Sequence, residues 1–327
     1  MGVDLGGSIR RGARDREANR PASRQDSRTL AAVIDPRTLA LRLGRVGVWT
    51  ALLDQWPVQR GVAFARELEG LGYRALWIPE TAVSKDVYAH AAILLGATER
   101  IVIATGIANI WARDPVAMRN GERALAEAYP GRFLLGLGVS HEPAVKRRGG
   151  TYEKPLQHMR EYLDAMDRAR YAGPEPAEPA PRVLAALGPK MLALAAERTA
   201  GAHPYFVPVE HTAFARQILG PVPLLAVEQA VVLETNVETA RATARSHMSG
   251  YLRLENYANS LRRMGWSDAD LAGPSDGLVD AIVAHGGIAD LASRVRAHLA
   301  GGADHVCVQV LNEDPLPVLR EIATALG

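Results

Sequence analysis

Short apolar runs alternate with amphipathic helical patterns along the chain from about Leu43 onward. Runs of four to eight apolar residues predict strands buried on both faces, and apolar positions at 3.6-residue spacing predict helices. This alternation is typical of a parallel sheet wrapped by helices. The predicted strands are residues 46–50, 75–79, 101–107, 133–139, 182–187, 202–207, 224–233 and 305–311.

Eight strands in this alternation favour one α/β fold, the (β/α)8 TIM barrel, in a single domain over residues 43–327. The connections are too short to form an independent domain, and an open doubly wound sheet is the alternative. A long helical region, residues 237–264, follows the seventh strand and exceeds an ordinary connection. We therefore predict an insertion between strands 7 and 8, at the rim of the barrel that faces the ligand.

The first 28 residues differ from the rest of the chain. They hold seven arginines and four acidic residues, no aromatic residue and no apolar core of a secretory signal, so we expect a disordered N-terminal tail. The net charge of +2 therefore conceals a body near −1, which argues against nucleic-acid binding. No apolar run reaches the ~20 residues that span a bilayer, so we expect no membrane span and take the cytoplasm as the default location.

The sequence lacks the motifs of several common enzyme classes. The single cysteine, Cys307, cannot form an internal disulfide or by itself a metal site. P-loop, HExxH, paired CxxC and GxSxG patterns are missing. We therefore expect no metal, and nucleotide hydrolysis, zinc chemistry and serine acyl transfer have no support in the sequence.

Polar residues follow several predicted strands, where ligands bind in parallel α/β folds. Glu80 closes strand 2 and is either a base or a solvated loop carboxylate. Asn109 follows a Gly-containing strand exit and can bind a ring edge or cap a turn. Ser140 and His141 end strand 4, where a hydroxyl and an imidazole can face a substrate, although a single histidine is often only a loop residue.

The fifth predicted strand runs into a helix through Gly188, Pro189, Lys190 and Met191. The first turn of a helix exposes backbone N–H groups, and its dipole favours negative charge. This segment is therefore a candidate phosphate site.

These segments together resemble the luciferase-like monooxygenase superfamily, in the branch that uses the deazaflavin coenzyme F420. The resemblance covers the chain from about Leu43 to its end, and each motif alone is weak. It is carried by GVWT, LWIPE, ATERIVIATGIANIWARDPVAM, GRFLLGLGVSH, YEKPLQHMREYLDAM, LAALGPKMLALAAE and GGADHVCVQVL.

The resemblance implies a non-prolyl cis peptide bond between Gly106 and Ile107, in a bulge beneath the deazaflavin ring. It also implies that the strand-5 loop holds the cofactor phosphate. Many relatives carry Asp or His at the end of strand 1, where this chain has Trp49-Thr50. His141 and Glu80 are then the catalytic candidates, with His203 and Gln309 as further rim residues. The predicted cofactor-binding residues are Trp49, Thr50, Gly106, Ile107, Asn109, Gly138, Ser140, Gly188, Pro189, Lys190 and Met191.

The implied activity is hydride transfer between F420 and a small organic substrate by a cytoplasmic homodimer. One alternative is an FMN-dependent luciferase-like monooxygenase. A second alternative is a non-catalytic flavin-binding barrel, because the strand-1 acid is missing.

Overall fold

Ten strands form one sheet in the computed structural model, which describes residues 35–327. All the pairings between these strands are parallel. The strands are β1 (Val46–Trp49), β2 (Ala75–Ile78), β3 (Val102–Thr105), β4 (Ala108–Asn109), β5 (Phe133–Gly138), β6 (Arg182–Leu184), β7 (Gly201–Ala202), β8 (Leu224–Leu233), β9 (Val283–Gly286) and β10 (His305–Val310).

The sheet closes into a barrel because β10 pairs with β8 on one side and with β1 on the other. The ring is β1, β2, β3, β5, β6, β7, β8 and β10, which confirms the predicted eight-stranded barrel. Two short strands lie outside this count. β4 continues β3 and pairs with β5, and β9 pairs with the end of β8.

Fifteen helices surround this barrel within residues 35–327. The helices are α1 (Pro36–Leu43), α2 (Leu52–Gln55), α3 (Val58–Gly70), α4 (Val87–Ala97), α5 (Pro115–Ala128), α6 (Glu142–Arg147), α7 (Pro155–Arg168), α8 (Pro189–Arg198), α9 (Val209–Leu219), α10 (Val237–Tyr251), α11 (Glu255–Arg263), α12 (Asp268–Ala272), α13 (Asp276–Ile282), α14 (Ile288–Ala300) and α15 (Pro315–Leu326).

The fold begins before residue 43, the predicted start of the barrel. Helix α1 starts at Pro36, capped by the Asp35 carboxylate, and buries Leu39 and Leu43. Both leucines belong to the same buried cluster as Ala75 and Val102, the first residues of β2 and β3. Helix α1 therefore packs at the N-terminal end of the barrel. The predicted disordered tail, residues 1–28, lies outside the described residues.

The sixth barrel strand is much shorter than predicted. It was expected over residues 202–207 and consists of Gly201–Ala202. The His203 N–H still bonds to the Leu184 carbonyl, but Pro204 has no N–H to continue the ladder. Phe206 then turns away with a φ of 61°. The residues after β7 are therefore free to line the end of the barrel.

The predicted insertion between the seventh and eighth barrel strands is present and comprises α10, α11, α12, α13 and β9. Its apolar residues form a separate buried cluster with the end of β8 and with Phe206. The cluster includes Met248, Tyr257 and Leu261 from α10 and α11. Within residues 35–327, no helix is long and apolar enough to cross a membrane.

Candidate active site

A cavity of about 720 Å³ opens at the C-terminal ends of the barrel strands. This is the end at which (β/α)8 enzymes place their ligands. The loops after six barrel strands and the insertion all contribute to its wall. Of the predicted site residues, the cavity is lined by Trp49, Glu80, Gly106, Ile107, Asn109, Gly138, Ser140, His141, Gly188, Pro189, Lys190 and Met191.

The peptide bond between Gly106 and Ile107 is cis, as predicted. The neighbouring strand leaves room for this bulge because β5 carries glycine there. A Cβ atom at Gly138 would lie 2.5 Å from Ile107 Cδ1, and one at Gly136 would lie 2.1 Å from the Thr105 carbonyl oxygen. The glycines of β5 therefore accommodate the bulge.

Trp49 holds the other side of the bulge. Its indole Nε1–H donates a 3.0 Å hydrogen bond to the Gly106 carbonyl. The ring is 5 % exposed and lines the cavity. The end of strand 1 thus supports the bulge through a donor that has no acid–base function near neutral pH.

Thr50 was predicted to bind the cofactor and does not line the cavity. Its backbone N–H bonds to the Trp77 carbonyl, and its Oγ1 accepts a 3.1 Å hydrogen bond from the Leu52 N–H at the start of α2. The hydroxyl therefore organises the turn after β1. Threonine readily bonds to nearby backbone groups at a helix start, so this position does not require a ligand. Cofactor binding by Thr50 stays a prediction.

Glu80 lies in the cavity wall, but protein donors engage its carboxylate. Arg113 donates to both carboxylate oxygens, and the Asn109 N–H donates to Oε2 at 2.7 Å. The Glu80 and Arg113 side chains are only 5 % and 12 % exposed. Such a bidentate charge-assisted pair fixes the geometry of both partners. The arrangement favours a role in holding β4 and not the predicted catalytic role.

Asn109 is likewise engaged locally. Its Oδ1 accepts a 2.9 Å hydrogen bond from the Trp111 N–H, so the side chain caps the turn that follows β4. Asn109 nevertheless lines the cavity. Of the two functions that the sequence left open for this residue, the structure shows the turn cap.

Ser140 and His141 lie where the barrel meets the insertion. Ser140 has a φ of 58°, which turns the chain sharply after β5. His141 Nδ1 lies 2.9 Å from Oδ1 of Asn256 on α11. If that oxygen accepts, Nδ1 carries the proton and Nε2 is the nitrogen left for a ligand. Burial lowers the pKa of His141, against the opposing effect of the Asn256 hydrogen bond, so the imidazole is neutral at pH 7.

The loop after β6, the fifth strand of the barrel, runs into the start of α8. Gly188 is the N-cap, no side chain of the described residues caps the first turn, and Pro189 is at the first helical position. Lys190 is exposed beside it. Arg263 of α11 is close, because a Cβ atom on Gly188 would lie 3.8 Å from its Nη2. An uncapped helix start beside cations is suited to bind an anion.

Several cavity residues were not predicted from the sequence. Tyr205 follows β7, and Tyr251 and Tyr257 come from the insertion. The Tyr205 hydroxyl lies 2.8 Å from that of Tyr251 and 2.9 Å from Gln309 Oε1. Gln309 thus anchors Tyr205 and does not itself line the cavity. The predicted insertion is the feature of the sequence that could have pointed to Tyr251 and Tyr257. Its sequence does not show which of its residues face the barrel.

The fold and the cavity define a (β/α)8 barrel with a ligand site at the carboxyl ends of its strands. The model of the luciferase-like monooxygenase family matches residues 37–305. The chain therefore belongs to the luciferase-like monooxygenase family.

Named relatives include a methylenetetrahydromethanopterin reductase and a putative F420-dependent oxidoreductase. The chain is 29 % identical over 161 residues to the 5,10-methylenetetrahydromethanopterin reductase of Methanolobus tindarius, which covers 44 % of this chain and 49 % of that protein. It is 31 % identical over 126 residues to a putative coenzyme F420-dependent oxidoreductase of Mycobacterium tuberculosis, covering 38 % and 35 % respectively. The chain thus matches no more than about half the length of these relatives.

Solved structures share the fold across most of the chain. An F420-dependent secondary alcohol dehydrogenase in complex with an F420-acetone adduct superposes with a TM-score of 0.71 and 14 % identity, covering 86 % of this chain and 99 % of that one. The FMN complex of the oxygenating constituent of 3,6-diketocamphane monooxygenase from Pseudomonas putida has a TM-score of 0.66 and 14 % identity, covering 86 % and 97 %. At these identities the likeness shows the fold alone.

Proposed function

We propose that this protein is an F420-dependent oxidoreductase that transfers a hydride between the deazaflavin and a small organic substrate. The observation that carries the proposal is the charge of the cavity. Three exposed cations line it, Arg147, Lys190 and Arg263, and none of them forms an ion pair within residues 35–327. The one lining carboxylate, Glu80, is paired with Arg113.

The cavity therefore combines two surfaces that suit one elongated ligand. The Gly106–Ile107 bulge with Trp49 offers a wall for a flat ring, and the start of α8 with Lys190 and Arg263 offers positive charge for an anionic tail. F420 is a flat ring system joined to a phosphate-containing, anionic side chain. The name of the M. tuberculosis relative supports the same cofactor.

When bound, F420 supplies the carbon that accepts or gives the hydride, and the protein supplies proximity and a proton-handling group. We assign that group to His141. Asn256 fixes its ring, and the lowered pKa keeps Nε2 unprotonated near neutral pH. A neutral imidazole beside the cavity can take the hydroxyl proton of an alcohol as the hydride leaves, and return it in the reverse direction.

FMN is the second candidate cofactor. It shares the flat ring and carries one phosphate, which the start of α8 could also hold. The FMN-bound neighbour with the same fold motivates this alternative. Two further expectations stay predictions: a homodimer, which sedimentation measures, and a cytoplasmic location.

Titration with each cofactor tests the proposal. We expect F420 to bind more tightly than FMN, because the three unpaired cations attract its longer anionic tail. Arg263→Gln should weaken F420 binding by roughly three- to tenfold, since it removes one charge-assisted contact at an exposed site. Tighter binding of FMN than of F420 would reverse the assignment of the cofactor.

Arg262→Gln is the matched control. Arg262 is adjacent on α11, is exposed, pairs with Asp268 and does not line the cavity. It should leave F420 affinity unchanged. Equal losses in the two variants would mean that general surface charge, and not the cavity, attracts the cofactor.

A further inference from the structure

His203 is a buried polar side chain in the cavity wall. It follows β7, lines the cavity and is only 1 % exposed. Its imidazole stacks on the Trp77 indole, with ring centroids 4.3 Å apart and an interplanar angle of 16°. The stack holds the ring in one orientation, so the two nitrogens have fixed and different surroundings.

One nitrogen is bonded within the barrel and the other is not. Nδ1 lies 2.9 Å from the Ala226 carbonyl oxygen, and a carbonyl only accepts, so Nδ1 carries the hydrogen. Nε2 then presents a lone pair. That atom is buried and has no hydrogen-bond partner in residues 35–327. Buried polar atoms without partners are rare in folded proteins, and each calls for a physical reason.

His305 provides the contrast, because it contacts the same tryptophan. Its Nδ1 lies 2.7 Å from the Gly44 carbonyl oxygen, and its Nε2 accepts a 3.1 Å hydrogen bond from Trp77 Nε1–H. Both of its nitrogens are therefore satisfied inside the barrel. His305 does not line the cavity. His211 Nδ1 and His247 Nε2 also lack a partner within residues 35–327, but neither residue lines the cavity. His203 is the histidine that combines an unpartnered buried nitrogen with a place in the cavity wall.

His203 also stays neutral. Burial lowers its pKa to about 4, so Nε2 remains an acceptor across the physiological range. The nitrogen lies beside the bulge, since a Cβ atom added to Gly106 would be 3.3 Å from it. The other polar group at this point, Trp49 Nε1–H, is already bonded to the Gly106 carbonyl. The barrel thus offers one unused acceptor next to the proposed ring surface.

We propose that His203 Nε2 is a specificity-determining hydrogen-bond acceptor for a ring-edge N–H of the bound ligand. The ligand class is a flat heteroaromatic system with an amide- or imide-type N–H at its edge. The inference rests on the proposed function, because a deazaflavin is such a ring. It adds to that function a named contact that discriminates between rings with and without this donor.

Three variants test the contact. The affinity of each for F420 is measured at equilibrium through the fluorescence of the cofactor. His203→Leu removes the acceptor and should weaken binding roughly tenfold or more, because the ligand donor is left unpaired in a buried site. His203→Gln can place an oxygen near the position of Nε2 and should restore most of the affinity. His305→Leu is the control. It removes an equally buried histidine from the same cluster and should lower stability without changing affinity.

The outcomes separate this inference from the proposed function. Wild-type protein that binds neither F420 nor FMN overturns both. Wild-type binding that His203→Leu leaves unchanged, with the variant folded by circular dichroism, overturns the His203 contact alone. Nitrogen-15 spectra of the free protein give an independent readout. We expect a neutral His203 protonated at Nδ1, and a ring protonated at Nε2 would contradict the assignment.

Discussion

Some polar residues at the carboxyl ends of the strands hold the fold, and others are available to a ligand. Glu80 and His141 were both predicted as catalytic, yet their surroundings differ. Glu80 is clamped by Arg113 and by the Asn109 N–H. His141 is held by one hydrogen bond to Asn256 and keeps one nitrogen for a ligand. The same position at a strand end thus supports a scaffold in one case and the proposed proton transfer in the other.

Substituting each residue separates the two roles. Glu80→Gln should destabilise the protein by about 3 kcal/mol, because it leaves a buried guanidinium without its main partner. His141→Gln should leave stability within about 0.5 kcal/mol and lower kcat by roughly 100-fold. Urea unfolding and turnover with F420 measure the two effects. As a control, Glu142→Gln removes an exposed carboxylate whose one ion pair within residues 35–327 is with Lys146, and it should change neither.

At the scale of elements, the bulge after β3 depends on the strand beside it. Gly138 of β5 was predicted to bind the cofactor, and in the structure Gly136 and Gly138 make room for Thr105 and Ile107. The insertion is equally important, because α11 brings Asn256, Tyr257 and Arg263 to the cavity. Two elements far apart in the sequence therefore complete one site.

Gly138→Ala tests the dependence of the bulge on β5. The added methyl group would lie 2.5 Å from Ile107 Cδ1, so we expect a loss of about 1–3 kcal/mol from overpacking, together with weaker cofactor binding. Gly250→Ala is the matched control. It lies within α10, where no atom of residues 35–327 outside the helix's own backbone comes within 4 Å of the added methyl group, and should stabilise the protein by about 0.5–1 kcal/mol. Equal effects of the two changes would contradict the packing argument.

At the scale of the whole molecule, burial sets the charge of many histidines. Burial lowers the pKa of four of them to about 4 and of a fifth to about 3. Unfolding returns each to its ordinary value near ~6.5. The unfolded chain therefore binds more protons than the native protein between these values. These residues are His203, His211, His247, His305 and His298.

Stability should therefore fall as the pH is lowered from about 6.5 towards 4. The contribution of the neutral histidines to the free energy of unfolding is fully present above pH ~6.5. Between that pH and the native pKa, it decreases by up to ~1.4 kcal/mol per pH unit for each residue. Thermal unfolding at constant ionic strength measures the trend. Calorimetry in buffers of different ionisation enthalpy should detect proton uptake on unfolding at pH 5.5. A melting temperature that does not change between pH 7 and 5 would contradict this assignment.

The resemblance to the family implied the position of the cis peptide bond. The sequence by itself determined the barrel, the insertion and the loop at the start of α8. Hydrophobic periodicity and local motifs encode these features, because they depend on residues that are neighbours in the chain. The sequence could not show that Arg113, 33 residues after Glu80, engages the carboxylate, or that Asn256, 115 residues after His141, fixes the imidazole. Nor could it show that one nitrogen of His203 is left unpartnered. Only the tertiary structure decided these points, because the partners of a buried polar group are set by side chains that packing brings together from distant parts of the chain.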